Sequence, residues 1–125
     1  MTAWQPLRTN TILYCRKWHA SVRFYTDVLQ LPVETAGQWL VEFRLTDGSF
    51  VSIADASRTT IAPAAAGTGI TLSWQVADVM AAHRQLAERG IRPGPIHTRW
   101  GARVFFLHDP EGHRIELWSS PTQQP

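Results

Sequence analysis

The side chains best suited to binding a transition metal are five histidines and one cysteine. Cys15 is the only cysteine of the sequence, which excludes both an intrachain disulfide and a paired-cysteine zinc motif. It lies inside an apolar run, where we expect a buried, inert thiol. The histidines are spread along the chain: His19, His83, His97, His108 and His113. We expect His19 and His83 on helices and His113 in a turn, all three at the surface. A displaced metal site would therefore depend on His97 and His108, the two that could reach a cleft.

Six tryptophans are many for 125 residues, and they indicate a different chemistry. Tryptophan offers a large flat face at low entropic cost, so it is common in pockets for aromatic molecules and at interfaces. We expect most of the six in the core and the rest at such a pocket. They are Trp4, Trp18, Trp39, Trp74, Trp100 and Trp118.

The composition is typical of an ordinary globular chain, with 44% hydrophobic and 18% charged residues. A net charge of +2 is weak and the arginines are scattered, so nothing favours nucleic acid as a partner. No apolar stretch reaches the length of a membrane span, and the N-terminus lacks the pattern of a signal peptide. We therefore expect a soluble, cytoplasmic protein with no membrane partner.

An internal repeat organises the elements that must position these side chains. Residues 10–15 match residues 71–76, and residues 48–52 match residues 112–116. In each half a strand-like run leads into a helix-like run, and two further strand-like runs meet at a glycine turn. Two copies of one unit enclose a cleft between them, so the side chains at matched positions decide the chemistry.

The first half, about residues 8–55, is predicted to contain a strand, a helix and a hairpin. Spacings of three and four between apolar residues indicate the helix, which Pro32 ends. Asp47-Gly48 between two apolar runs is a strong hairpin signal. The predicted ranges are a strand at 9–15, a helix at 18–29, strands at 39–45 and 49–54, and a short strand near Val33.

The second half, about residues 70–119, repeats this plan after a linker at 56–69. The linker is rich in Ala, Thr, Gly and Pro, and we expect it to be exposed and mobile. Asp78 is predicted to cap the second helix, and Gly90 to end it. The predicted strands are 70–76, 102–108 and 113–118, with a short strand near Ile96.

Several sequence motifs resemble those of the vicinal oxygen chelate superfamily, which includes glyoxalase I, extradiol dioxygenases, fosfomycin-resistance enzymes and bleomycin-resistance proteins. The resemblance covers about residues 8–119 and lies in residues 24–29, 47–48, 100–101, 105–106, 109–112 and 115–118. It implies an α+β fold forming a single domain over residues 1–125. Two βαβββ modules would form an open, cupped mixed sheet with helices on its outer face, often completed by a homodimer partner.

The resemblance also places a set of metal ligands, because metal-dependent members take them from the first and last strand of each module. By position these are Asn10, Ser52, Thr71 and Glu116, which fall on matched places of the internal repeat. Only Glu116 has the kind of side chain that zinc, iron or nickel prefers, since the others offer an amide and two neutral hydroxyls. We therefore expect a metal-free site with no cofactor.

Strand alternation predicts which other side chains share the cleft with these four. The predicted ligand-binding residues are Asn10, Ile12, Tyr14, Phe50, Ser52, Thr71, Ser73, Gln75, Trp100, Arg114, Glu116 and Trp118. The opposite faces are expected to form the core, through Leu13, Cys15, Leu72, Trp74, Val76, Ile115 and Leu117. Aromatic surface with a few polar groups suits a flat, partly aromatic organic ligand, and part of it could also be a dimer interface.

Three functions follow. The favoured one is a metal-free binding protein of the glyoxalase/bleomycin-resistance type, which holds its ligand between the modules and gives antibiotic resistance by sequestration. The basic chain counts against cationic bleomycin and favours a neutral or anionic ligand. The alternatives are a metal-dependent lyase or dioxygenase that uses Glu116 with a relocated histidine, and a metal-free isomerase with Glu116 as its catalytic base. Glu116 could instead pair with Arg114, Arg103 or Gln75 and have a structural role.

Overall fold

A computed structural model describes residues 3–58 and 66–120 of the chain. The chain divides into two compact units, with the boundary between residues 65 and 66. Of the predicted linker, residues 59–65 lie outside the described residues. Residues 56–58 form a short 3-10 helix, and residues 66–69 form turns.

The first unit is a four-stranded sheet with one helix. Its elements are β1 (Thr9–Cys15), α1 (Trp18–Arg23, continued by a π-helical turn, Phe24–Val28), β2 (Val33–Ala36), β3 (Leu40–Thr46) and β4 (Ser49–Asp55). The strand order is β1-β4-β3-β2, and β1 runs parallel to β4 while the other pairs are antiparallel.

The second unit has the same topology. Its elements are β5 (Thr71–Gln75), α2 (Val79–Glu88), β6 (His97–Arg99), β7 (Ala102–His108) and β8 (Arg114–Ser119). The strand order is β5-β8-β7-β6, with β5 parallel to β8. The α+β class with two βαβββ modules is therefore confirmed, including the short strands expected near Val33 and Ile96.

The register of the parallel strand pairs shows that the predicted positions are equivalent in the two units. Asn10 pairs with Phe50, and Ser52 follows two residues later. Thr71 pairs with Arg114, and Glu116 follows two residues later. Asn10 and Thr71 thus occupy one position of the unit, and Ser52 and Glu116 occupy another.

One face of each sheet packs against the helix of its own unit. The ring of Tyr25 lies 5.9 Å from that of Phe43 in the first unit, and His83 of α2 lies 4.9 Å from Phe105 in the second. Neighbours along a strand point to opposite faces, so Glu42 and Glu116 lie on the faces away from the helices. The predicted core set is buried except for Trp74 and Val76, which are half-buried.

The helix ends follow local chemistry. Asp78 accepts a hydrogen bond from the backbone N–H of Ala81 at 3.1 Å, which confirms the predicted cap of α2. Gly90 has a φ of +83° and follows the last turn, as predicted. Among the described residues, no helix is both long and apolar enough to span a membrane.

The expectation that most tryptophans belong to the core is wrong. None of the six is fully buried, and Trp4, Trp39 and Trp100 are exposed. The fully buried large side chains are instead Tyr25, Phe43, Phe105 and branched aliphatic residues. This leaves tryptophan surface for contact with other molecules.

Candidate functional site

The polar face of the first sheet is built around Ser52. Its hydroxyl donates a hydrogen bond to Oδ1 of Asn10 at 3.0 Å. Glu42 pairs with Ser52 across β3 and β4, so its carboxylate shares this face. That carboxylate forms a 2.7 Å ion pair with Arg8, whose guanidinium carbon lies 3.6 Å from the ring centroid of Phe50. The guanidinium therefore covers this part of the face.

The remaining predicted residues of this unit follow the same register. Ile12 pairs with Ser52 and is exposed, and Tyr14 pairs with Ala54 and is half-buried. The sequence analysis missed Glu42 and Arg8. The hairpin at Asp47-Gly48 would by itself place Phe43 opposite Ser52. A register shift between Arg44 and Thr46 brings Glu42 there instead, so no local signal could have identified it.

The polar face of the second sheet carries two side-chain hydrogen bonds between its parallel strands. Ser73 donates to Oε1 of Glu116 at 2.7 Å, and Nε of Arg114 donates to the hydroxyl of Thr71 at 3.0 Å. The bond from Ser73 therefore orients the Glu116 carboxylate, in place of the sequence-based alternatives Arg114, Arg103 and Gln75. Gln75 pairs with Trp118 at the end of β5.

A pocket of about 300 Å³ opens on this second face. Its lining residues are Ser73, Arg99, Trp100, Ala102, Val104, Glu116 and Trp118. Four of these were predicted, whereas Arg99, Ala102 and Val104 were not. Val104 pairs with Trp118 across β7 and β8. The register of these two strands, which alternation alone does not give, therefore places Val104 and Ala102 on the pocket face.

The turn that carries Trp100 has an unusual residue for its conformation. Arg99 and Ala102 pair directly, and the two residues between them, Trp100 and Gly101, have φ values of +52° and +79°. Two-residue hairpin loops of this kind require positive φ at both positions and favour Asn, Asp or Gly. A bulky side chain with positive φ is strained, and such strain is common at functional sites. Trp100 is 94% exposed and stands at the rim of the pocket.

Two arginine side chains and one histidine side chain of this face lie around one aromatic ring, that of Phe106. The guanidinium carbons of Arg114 and Arg99 lie 4.9 Å and 5.7 Å from its centroid. The imidazole of His97 lies 5.7 Å from it, with a tilt of 33°. Phe106 itself pairs with Glu116, so these groups border the pocket's carboxylate.

The structure places two of the five histidines differently from the expectation. His97 and His108 pair with Val104 and Arg114 and so share the polar face, and His19 is exposed, as expected. The expectation of surface positions is wrong for His83 and His113. His83 is half-buried and hydrogen-bonds the carbonyl of Gly94 at 2.9 Å while its ring packs on Phe105.

His113 is 4% exposed because its side chain contacts a buried carboxylate inside the β7–β8 turn. Its Nδ1 lies 2.8 Å from Oδ2 of Asp109. The other oxygen of Asp109 accepts hydrogen bonds from the backbone N–H groups of Glu111, Gly112 and His113. The carboxylate therefore satisfies turn donors, and this histidine has a structural role.

The residues at the four expected ligand positions do not fit a transition metal. In the first unit the Asn10 oxygen accepts a bond from Ser52, and the carboxylate of Glu42 is already paired with Arg8. In the second unit the guanidinium of Arg114 is bonded to Thr71 and would repel a cation there. Within residues 3–58 and 66–120, no group of three His, Cys, Asp or Glu side chains could hold a metal ion.

Comparison with known proteins identifies the family. The model of the Glyoxalase/Bleomycin resistance protein/Dioxygenase superfamily matches residues 9–117. A glyoxalase/bleomycin resistance protein/dioxygenase from Nocardioides is 25% identical, with a TM-score of 0.78 over 96% of this chain and 87% of that chain. No curated protein matches the sequence.

Two other solved structures share the fold at lower identity. TnmS3, an antibiotic binding protein from Streptomyces sp. CB03234, is 17% identical, with a TM-score of 0.77 over 96% of this chain and 99% of that chain. A lactoylglutathione lyase from Agrobacterium tumefaciens is 20% identical, with a TM-score of 0.74 over 91% and 93%. At these identities the likeness concerns the fold alone. Because the family model covers most of its length, this chain belongs to the glyoxalase/bleomycin resistance protein/dioxygenase superfamily.

Proposed function

We propose that this protein binds a flat, partly aromatic organic molecule in the pocket of the second sheet, without a metal ion. The observation that carries the proposal is the pocket lining. Trp100, Trp118 and Ala102 offer apolar surface, and the hydrogen-bonded pair Ser73–Glu116 provides polar contacts. Small-molecule sites typically combine a mostly apolar concave surface with a few oriented polar groups.

The side chains at the four expected metal-ligand positions support binding of a ligand by direct contact instead of by metal coordination. Amide and hydroxyl groups stand where metal-dependent relatives are expected to carry imidazoles and carboxylates, and a guanidinium lies beside one of them. We propose sequestration of an antibiotic as the biological role. Its support is the shared fold with TnmS3, which is described as an antibiotic binding protein.

A second candidate function is metal-free isomerisation with Glu116 as general base. The observation that favours it is the position of Glu116, which is half-buried, lines the pocket and is oriented by the hydroxyl of Ser73. Glu116→Gln separates the two functions. Loss of turnover with binding retained would support the isomerase, and absence of turnover in the wild-type protein would support sequestration.

The proposal also includes a homodimer. Its support is apolar surface near the start of the first unit, where Trp4 is 80% and Leu7 is 93% exposed. Large exposed apolar side chains are a common feature of protein interfaces.

The test of binding is titration calorimetry of the full chain against flavones, anthraquinones and hydroxycinnamates, with and without EDTA. We expect saturable binding to at least one class, unchanged by EDTA, and less than a stoichiometric amount of metal by mass spectrometry. Trp118→Leu should weaken binding by about tenfold or more, because stacking surface is lost. Trp39→Leu, at an exposed position of the first unit, is the matched control and should bind like the wild type.

Two results would overturn the proposal. One is a stoichiometric metal whose removal by EDTA abolishes binding. The other is equal affinity of the Trp118→Leu and wild-type proteins for every ligand that binds.

A further inference from the structure

The pocket lies beside two arginines that have no carboxylate partner among the described residues. Arg8–Glu42, Arg44–Glu34 and His113–Asp109 form ion pairs in this part of the chain, whereas Arg99 and Arg114 form none. Both guanidinium carbons lie within 5.7 Å of the Phe106 centroid, so they are no more than about 11 Å apart. Glu116, the carboxylate opposite Phe106, balances one of these two charges.

Cation–π contact with Phe106 leaves these guanidinium groups able to bind an anion. A guanidinium on an aromatic face keeps its in-plane N–H donors directed outward, and the flat fork matches a carboxylate or phosphate. Arg114 uses one of its five N–H donors on Thr71. Arg99 lines the pocket and lies 5.7 Å from the rings of both Trp100 and Phe106, so its charge is held at the pocket wall.

Glu116 adds a second requirement. Its Oε1 accepts a hydrogen bond from Ser73, and an ionised carboxylate has about four acceptor sites in all. The carboxylate therefore retains capacity for a donor on a ligand that lies against Trp118 and Trp100. A bond to such a charged acceptor is stronger than one between neutral groups.

We infer that the pocket selects a planar aromatic acid that also carries a hydrogen-bond donor such as a phenolic hydroxyl. Arg99 binds the anionic group, and Arg114 adds positive charge nearby. Trp100 and Trp118 contact the ring, and Glu116 accepts a hydrogen bond from the hydroxyl group. This inference rests on the proposed function and names its ligand class. It also makes Arg99 the residue that favours an anionic ligand over a neutral one.

The test uses the full chain and the three isomers of hydroxycinnamate as probes. Each isomer is compared by calorimetry with its amide, which lacks the charge, and with cinnamate, which lacks the hydroxyl. We expect at least one isomer to bind about tenfold or more tightly than both of its controls, the size expected for a charge-assisted hydrogen bond.

Two substitutions, each with a control variant, test which residue selects the anionic group and which selects the hydroxyl group. Arg99→Gln should reduce the preference for the acid over the amide by about tenfold, and Glu116→Gln should reduce the preference for the hydroxyl. Arg103→Gln is the control for charge, because Arg103 pairs with Ser119 on the opposite face of β7. Glu88→Gln, at the exposed end of α2, is the control for Glu116→Gln.

The outcomes separate this inference from the proposed function. Tight binding that depends on Trp118 but is equal for acid and amide, or unchanged in Arg99→Gln, overturns the inference alone. Tighter binding of aromatic amines than of acids also overturns it alone. Failure of every probe and of the wider aromatic panel to bind overturns both.

Discussion

At the scale of single residues, Trp100 combines conformational strain with exposure. The first position of a two-residue turn with positive φ suits Asn, Asp or Gly, because these residues tolerate the left-handed conformation. A tryptophan there costs stability and gains no buried contact, since its side chain is 94% exposed. Its place at the rim of the pocket provides a functional reason for tolerating the cost.

Trp100→Asn should therefore stabilise the protein while weakening ligand binding. We expect a gain of about 0.5–1 kcal/mol in the free energy of unfolding, from relief of the turn. Urea denaturation measures the gain and calorimetry measures the affinity. Trp100→Phe keeps an aromatic ring at positive φ, so it should show no such gain. A stability of Trp100→Asn below that of the wild type would contradict the strain argument.

At the scale of elements, the β7–β8 turn shows how the Asp-Pro-Glu-Gly motif acts. Asp109 is buried and accepts three backbone N–H bonds as well as contacting His113. These bonds hold the chain reversal that aligns β8 with β7, and β8 carries Arg114, Glu116 and Trp118. The turn thereby positions three of the proposed ligand-binding residues.

Asp109→Ala should lower the free energy of unfolding by about 3 kcal/mol, because buried backbone donors lose a charged acceptor. Thermal and urea denaturation measure the loss. Asp47→Ala, in the matching hairpin of the first unit, is exposed and should change stability by less than about 1 kcal/mol. Equal effects of the two substitutions would show that the carboxylate of Asp109 does not hold its turn.

At the scale of the whole molecule, the two units repeat one topology but carry different polar faces. In the first, Arg8 covers Glu42 and stacks on Phe50, and in the second a pocket opens beside Glu116. Equivalent backbone positions thus hold Ser52 in one unit and Glu116 in the other. The proposed binding function lies in the second unit.

The homodimer proposal is tested on the same scale. Sedimentation should give twice the chain mass of 14.1 kDa. Leu7→Asp should shift the protein towards the monomer, because a charge would have to be buried at the interface. Met80→Asp, at an exposed position of α2, should leave the mass unchanged. A wild-type protein that sediments as a monomer at high concentration would refute the proposal.

The sequence by itself determined the two-module topology, the hairpins and the faces of most strands. These follow from local signals, namely a period of two along each strand, Asp47-Gly48 in one turn and the cap at Asp78 before α2. The family resemblance singled out Asn10, Ser52, Thr71 and Glu116, and the internal repeat put them at matched positions. Their role in binding remains a prediction.

Only the tertiary structure decided what surrounds those positions. The pairing of β6 with β7 brought Arg99 to the pocket, and the fold brought Arg8 onto Glu42 and buried His113 beside Asp109. These contacts depend on strand register and on loop paths, whose energies are set by packing between segments distant in sequence. For that reason the pattern of residues indicated an aromatic pocket, whereas the arrangement of charge around it appeared only in the folded chain.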